Sequence, residues 1–140
     1  MPDLEVLENP KTNLASEVIS SDGKTLGKYY FNDNRTPVTF DELPTHLVDA
    51  LIATEDIRFY SHSGIDFKRT FGAALKLGKD GGGSTITQQL AKLLFTGEGS
   101  RDILERLTQK FKEYIIAVRL ERHYTKDEII TQYLNLYDFG

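Results

Sequence analysis

The chain has 140 residues and no cysteine. Disulfides and thiolate chemistry are therefore excluded, and the redox compartment is left open. Its three histidines, His46, His62 and His123, are too scattered for metal-ligand spacing. Apolar runs last only a few residues, far short of the roughly 20 needed to cross a bilayer, and the first residues do not have the form of a signal peptide. A basic excess is also missing: the net charge of −4 argues against general nucleic-acid binding. What remains is an ordinary globular composition, with enough length for one domain that buries a core without staples.

The charge is unevenly spread. Residues 1–58 carry 5 basic and 11 acidic side chains, whereas residues 67–126 carry 12 basic and 6 acidic. Solvated helix faces would produce such a split. So would a basic half that meets an anionic partner: a phosphate, a pyrophosphate or an acidic membrane surface.

Residues 1–15 show no periodicity and read as a tether or extended arm. Residues 17–31 read as a β-hairpin: Val18 and Ile19 lie before Ser21-Asp22-Gly23-Lys24, and Leu26, Tyr29, Tyr30 and Phe31 after it. Asp-Gly supplies the positive φ of a tight turn. Residues 32–38 are a polar loop. From Asp41 the pattern turns helical, with Asp41 and Glu42 as first-turn acids, Pro44 tolerated there, and Leu47, Ala50 and Leu51 as the buried stripe. Asp66 can cap a helix bearing Phe67, Thr70, Phe71, Ala74 and Leu77, with Lys68, Arg69, Lys76 and Lys79 elsewhere on it. Exposed beside those cations, Phe67 and Phe71 would make a membrane-facing patch.

Two stretches carry chemistry. The first runs Glu55-Asp56-Ile57-Arg58-Phe59-Tyr60-Ser61-His62-Ser63-Gly64 at the end of an apolar helical run. A carboxylate there is partly desolvated, which suits it to accept a proton; a solvated helix end has the same look. The second is Gly81 to Lys92, Gly-Gly-Gly-Ser-Thr-Ile-Thr-Gln-Gln-Leu-Ala-Lys. Thr85 and Gln88 form a capping box that starts a helix near residue 85, with Ile86, Leu90, Leu93 and Leu94 as its core face. A glycine-rich loop entering a helix is a generic anion site, but without a Gly-Lys-Ser/Thr ending it is not a nucleotide P-loop. After a Gly97-Glu98-Gly99 turn comes the longest helix, about residues 101–122. Ile103, Leu107, Phe111, Tyr114 and Val118 form its expected core stripe, and Arg106, Lys110 and Glu113 a second stripe beside it. That second stripe is either a surface ion-pair ladder or a cleft wall. Thr125 and Glu128 open a last helix carrying Ile129, Ile130, Tyr133, Leu134 and Tyr137.

Four blocks, in order, resemble glycosyltransferase family 51, the peptidoglycan glycosyltransferase domain of bifunctional penicillin-binding proteins and monofunctional transglycosylases. They are E-D-x-x-F-x-x-H-x-G (Glu55, Asp56, Phe59, His62, Gly64), G-G-S-T-I-T-Q-Q (Gly82 to Gln89, without a departure), R-K-x-x-E (Gln109, Lys110, Glu113) and K-x-E-I-x-x-x-Y-L-N (Lys126, Glu128, Ile129, Tyr133, Leu134, Asn135). The resemblance covers about residues 38–140. It implies a mainly α, lysozyme-like fold; with the small N-terminal β-hairpin read above, the chain divides into an arm and hairpin over 1–38 and a partial, C-terminally truncated glycosyltransferase domain over 39–140. It also implies polymerisation of lipid II into glycan strands, with inversion and release of undecaprenyl pyrophosphate.

Carried over by position, Glu55 is the expected general base and Glu113 the second catalytic acid, helping to place the donor diphosphate or its metal. Asp56, Phe59, His62, Gly83, Ser84, Thr85, Thr87, Gln88, Gln89 and Lys110 are expected substrate-binding residues, and Lys92, one helical turn past Gln88, joins them. No dedicated metal ligands are expected and no cofactor is required, although some family members use a divalent cation, Mg or Mn. Expected partners are lipid II, the growing glycan, the membrane surface and other cell-wall synthesis proteins, at the outer face of the cytoplasmic membrane in a bacterial envelope; nucleic acid is not among them. The resemblance further implies a fragment of a larger protein, without the family's N-terminal anchor and last motif. One departure stands inside the blocks: Gln109 replaces an arginine. On a helical wheel Arg106 lies about 60° from position 109, between Lys110 and Glu113, and is the expected substitute. Two other readings stay open at this point: a non-catalytic module that binds the precursor or a partner, and a lysozyme-like hydrolase using Glu55 and Glu113.

Overall fold

The computed structural model describes residues 16–29, 36–75, 83–97 and 102–137. The expected arm over 1–15, residues 32–35 of the expected loop, and the expectations for Tyr30, Phe31, Lys76, Leu77, Lys79, Gly81, Gly82, Glu98 and Gly99 lie outside those residues. Strands β1 (Ser16–Ile19) and β2 (Thr25–Tyr29) pair antiparallel, Ser16 opposite Tyr29 and Val18 opposite Gly27. Gly23 turns the hairpin at φ 80°, and the Ser20 N–H closes it on the Lys24 carbonyl at 2.9 Å. Every strand residue is exposed, so the hairpin contributes nothing to the core.

Among the described residues five α-helices follow: α1 (Thr45–Glu55), α2 (Phe67–Leu75), α3 (Ile86–Ala91), α4 (Ile103–His123) and α5 (Lys126–Leu136). The short α3 is central, packed against both α4 and α5. Its Ile86, Leu90 and Ala91 join Val48 and Leu51 of α1, Phe59, Ile116 and Leu120 of α4, and Ile129, Ile130 and Tyr133 of α5 in one buried cluster. Capping boxes at Thr85/Gln88 and Thr125/Glu128 start α3 and α5 where the sequence places them. Asp66 caps α2, accepting the Arg69 N–H at 3.0 Å. Burial by itself would raise the Asp66 carboxyl; the Arg69 N–H and the Arg58 guanidinium outweigh it and hold the group below the usual carboxylate range. Asn135 clamps residue 38, accepting the Val38 N–H at 3.0 Å and donating to its carbonyl at 2.9 Å.

Four expectations are corrected. Asp41 and Glu42 do not open α1: they belong to a separate 3-10 turn, Phe40–Glu42. Pro44 forces the residue before it out of the helical region, leaving Leu43 extended (φ −78°, ψ 126°), and α1 starts at Thr45. On α1 the buried positions are Val48 and Leu51, while Leu47 and Ala50 face solvent. On α4 the expected core stripe points outward: Ile103, Leu107 and Phe111 are more than half exposed, and the buried positions are Glu113, Ile116, Ala117 and Leu120. The inward face therefore lies roughly 120° round the helix from the expected stripe. Leu93 is also displaced, at 42% exposed. After Ala91 the chain widens into a π-helical turn, Lys92–Thr96, which breaks the α register that would have buried it.

One polar junction ties the layers together. The Lys126 ammonium of α5 donates to the His62 carbonyl at 2.8 Å and to Glu121 of α4 at 2.7 Å, and lies 4.2 Å from the centroid of the Phe59 ring. Glu121 also accepts the Thr87 hydroxyl of α3 at 2.6 Å. Gly64 makes the closest approach: at φ 90°, a Cβ there would lie 2.7 Å from the Ala117 carbonyl oxygen.

Two stability outcomes follow. Gly64→Ala combines a positive φ with a backbone clash, and unfolding by denaturant should show a loss of at least ~1 kcal/mol. Lys126→Met leaves the Glu121 carboxylate buried without its cation and should cost roughly 3 kcal/mol. Adding Glu121→Gln should recover part of that loss. A change under about 0.5 kcal/mol in Lys126→Met would show that the pair contributes nothing.

Candidate active site

Glu55 is the last residue of α1, and Asp56, its cap, leaves the helix at φ −156°, ψ 71°. That break sends two adjacent carboxylates in different directions. Asp56 turns inward to 1% exposure. Its Oδ2 accepts the backbone N–H of Ile86 at 3.1 Å and lies 2.9 Å from His62 Nε2, while Oδ1 faces the Arg69 guanidinium at 4.0 Å. Glu55 stays half-buried, and its Oε2 accepts from the Gln89 amide at 2.8 Å. Its backbone carbonyl is held by the Arg69 guanidinium. The Gln89 carbonyl in turn accepts the Tyr133 hydroxyl at 2.9 Å.

Gln89 forms part of the lining of a cleft of about 640 Å³. Ser84 and Lys92 line it from either end of α3, and Arg106, Gln109, Lys110 and Glu113 from α4. The polar stripe of α4 is thus a cleft wall and not a surface ladder. Lys110 is fixed within it: its ammonium donates to Ser84 Oγ at 2.7 Å and to Glu113 Oε2 at 2.6 Å. Glu113 is only 6% exposed, so the Lys110 charge is what makes its burial tolerable. Leu93 and Tyr137 add apolar surface to the same cleft. Arg106 lines the cleft together with Gln109.

The remaining expected site residues fall elsewhere. Phe59, Thr85, Thr87 and Gln88 have no exposed surface. Thr85 caps α3 and donates to the Gly64 carbonyl at 2.7 Å, Gln88 returns to the Thr85 N–H at 3.2 Å, and Thr87 reaches Glu121. With Asp56, these side chains brace the cleft from behind. Gly83 sits half-buried next to Ser84 at the threshold of α3. His62 lines a second cavity of about 480 Å³, together with Arg58 and Lys68. Glu55 itself is one hydrogen bond behind Gln89. Reading the sequence missed Tyr133 and Arg69 as holders of Glu55, and Tyr137 as lining. Tyr133 carried a signal as a core residue of α5 and as a member of the fourth motif block, but spacing does not tell which buried hydroxyl meets which amide.

As a metal site the cleft is poor. The described residues contain no group of three or more His, Asp or Glu side chains able to hold an ion. Glu113, the carboxylate among the described lining residues, is already bonded to Lys110. What the cleft offers is a cationic wall, amide and hydroxyl donors, and a carboxylate, Glu55, one hydrogen bond behind the lining residue Gln89, a combination suited to binding an anionic leaving group while a proton is removed nearby.

The comparisons with known proteins agree with that geometry. The Transglycosylase family model matches residues 22–140. Penicillin-binding protein 1F of Bacillus subtilis (strain 168) is 42% identical over 130 residues, covering 90% of this chain and 17% of its own length. Penicillin-binding protein 1A of Escherichia coli (strain K12) is 41% identical over 140 residues, covering 96% of this chain and 16% of its own. Penicillin-binding protein 2a of Streptococcus pneumoniae is 41% identical over 105 residues, 75% of this chain and 14% of its own. The chain spans about one sixth of the length of the first of these relatives. On the extent of the family match and these identities, with the cleft as described, the chain belongs to the Transglycosylase family.

Proposed function

We propose that this chain forms the catalytic cleft of a peptidoglycan glycosyltransferase that polymerises lipid II into glycan strands. The observation that carries the reading is the juxtaposition of Glu55, held by Gln89, with the wall of Lys92, Arg106 and Lys110. Glu55 takes the proton of the acceptor 4-hydroxyl as that oxygen attacks the anomeric carbon of the donor and inverts it. The bond from that carbon to the pyrophosphate oxygen breaks, and undecaprenyl pyrophosphate leaves with the electron pair. Its developing charge falls on Lys110, preset by Ser84 and Glu113, with Arg106 and Lys92 beside it. Fixed cations act at the moment of bond breaking without reorganising, which is what a charged leaving group needs. Glu113 then acts by positioning Lys110. A divalent cation would add positive charge beside the leaving pyrophosphate, but the described residues supply no group of three or more carboxylate or imidazole ligands to hold one.

The exposed apolar side chains support work at a lipid surface. Phe67 and Phe71 are 75% and 69% exposed on α2, next to Lys68, and Ile103, Leu104, Leu107 and Phe111 are exposed on the first half of α4. The described residues include no helix long and apolar enough to cross a membrane. The reading places the cleft at the outer face of the bacterial cytoplasmic membrane, where lipid-linked precursor is presented and other cell-wall synthesis proteins act. A hydrolase would have no use for the cationic wall.

Incubation of a protein carrying this chain with lipid II tests the assignment. Glu55→Gln should reduce polymer formation at least ~100-fold while leaving precursor binding intact; polymer at the unaltered rate would remove Glu55 as the base. Arg106→Ala should raise KM for the donor or lower kcat, roughly tenfold in kcat/KM. Unchanged kinetics would show that Arg106 does not cover for the arginine missing at position 109.

A further inference from the structure

We propose that Tyr133 is a positioning residue for the reaction: through the Gln89 amide, its hydroxyl sets the orientation of the Glu55 carboxylate. The inference rests on the reading of Glu55 as the base. It starts from a buried polar group. Tyr133 is 1% exposed in the core of α5, and its ring stacks on Tyr137 with centroids 5.0 Å apart. At such a site phenylalanine would fill nearly the same volume without a hydroxyl to desolvate, so the hydroxyl is tolerated only because it is bonded.

The bond it makes is directional. Tyr133 donates to Gln89 Oε1 at 2.9 Å, and Gln89 Nε2 donates to Glu55 Oε2 at 2.8 Å. A carboxylate can only accept, so the NH2 end of the amide must face Glu55. The carbonyl end is then left for Tyr133, which must donate. Both ends dictate one amide orientation, and the chain Tyr133–Gln89–Glu55 has one polarity across three helices. Burial, then the charge of Glu55, pushes the Tyr133 hydroxyl far above its ordinary value, so it remains a donor wherever the enzyme works. Without it the Gln89 side chain keeps its place in the cleft wall but loses the partner that fixes its rotation, and Glu55 loses the donor that aims it.

Tyr133→Phe in lipid II polymerisation is the direct test, alongside Glu55→Gln. The expected result is a fall of about tenfold in kcat with KM within about twofold, because a group that aims the base acts on the chemical step and not on precursor binding. Hydrogen exchange at the Gln89 side-chain amide, followed by NMR, should speed up about tenfold in the same variant. If Glu55→Gln abolishes polymerisation while Tyr133→Phe leaves kcat unchanged, the positioning role is overturned and the base assignment survives. If Glu55→Gln polymerises normally, the base assignment itself fails, and this inference with it. A matched fall in kcat and rise in KM, with amide exchange at Gln89 unaltered, would mark Tyr133 as core packing only and also overturn the proposal.

Discussion

The cleft depends on one buried carboxylate. Asp56 joins the end of α1 to the start of α3 through the Ile86 N–H, and draws in His62 and Arg69. A carboxylate at 1% exposure is tolerable only with such partners. Because Asp56 sits next to Glu55, and Gln89 lies three residues after Ile86 in chain order, this junction sets the register in which Glu55 meets Gln89. The two acids therefore have different tasks: the first bonds the cleft residue Gln89, and the second joins the end of α1 to the start of α3. The break in helical backbone at Asp56 separates them.

Around that junction, buried polar pairs replace what a purely apolar core would do. Lys126 with Glu121, and Lys110 with Glu113, each place a cation against a carboxylate under 10% exposed. Pairs of this kind are weak evidence for stability, since apolar residues of similar volume can serve as well or better. Their value here is positional. The first binds α3, α4, α5 and the loop bearing His62 into one unit. The second keeps an ammonium pointing at a fixed place in the cleft wall. Helix α4 accordingly turns its charged stripe inward and leaves Ile103, Leu107 and Phe111 outside.

The sequence by itself determined the local elements and named several of the residues that line the cleft. Asp-Gly at the hairpin turn and the capping boxes at Thr85 and Thr125 act over a few residues, and such signals survive in any tertiary setting. Two of the motif blocks brought Ser84, Gln89, Lys110 and Glu113 onto one list, the helical wheel added Arg106, and all five line one cleft. Three things were decided only by the tertiary structure. The direction of α4 was one, because apolar periodicity says which residues share a face but not which face meets α3. The division of motif residues into those lining the cleft and those bracing it was another: Phe59, Thr85, Thr87 and Gln88 look no different in sequence from their exposed neighbours, and burial is a property of what packs against them. The last was the hold on Glu55, which comes from Gln89, Tyr133 and Arg69 on three separate helices. Hydrogen bonds between residues distant in the chain leave no spacing to read, and only the packing of α1, α2, α3 and α5 brings their donors and acceptors within reach.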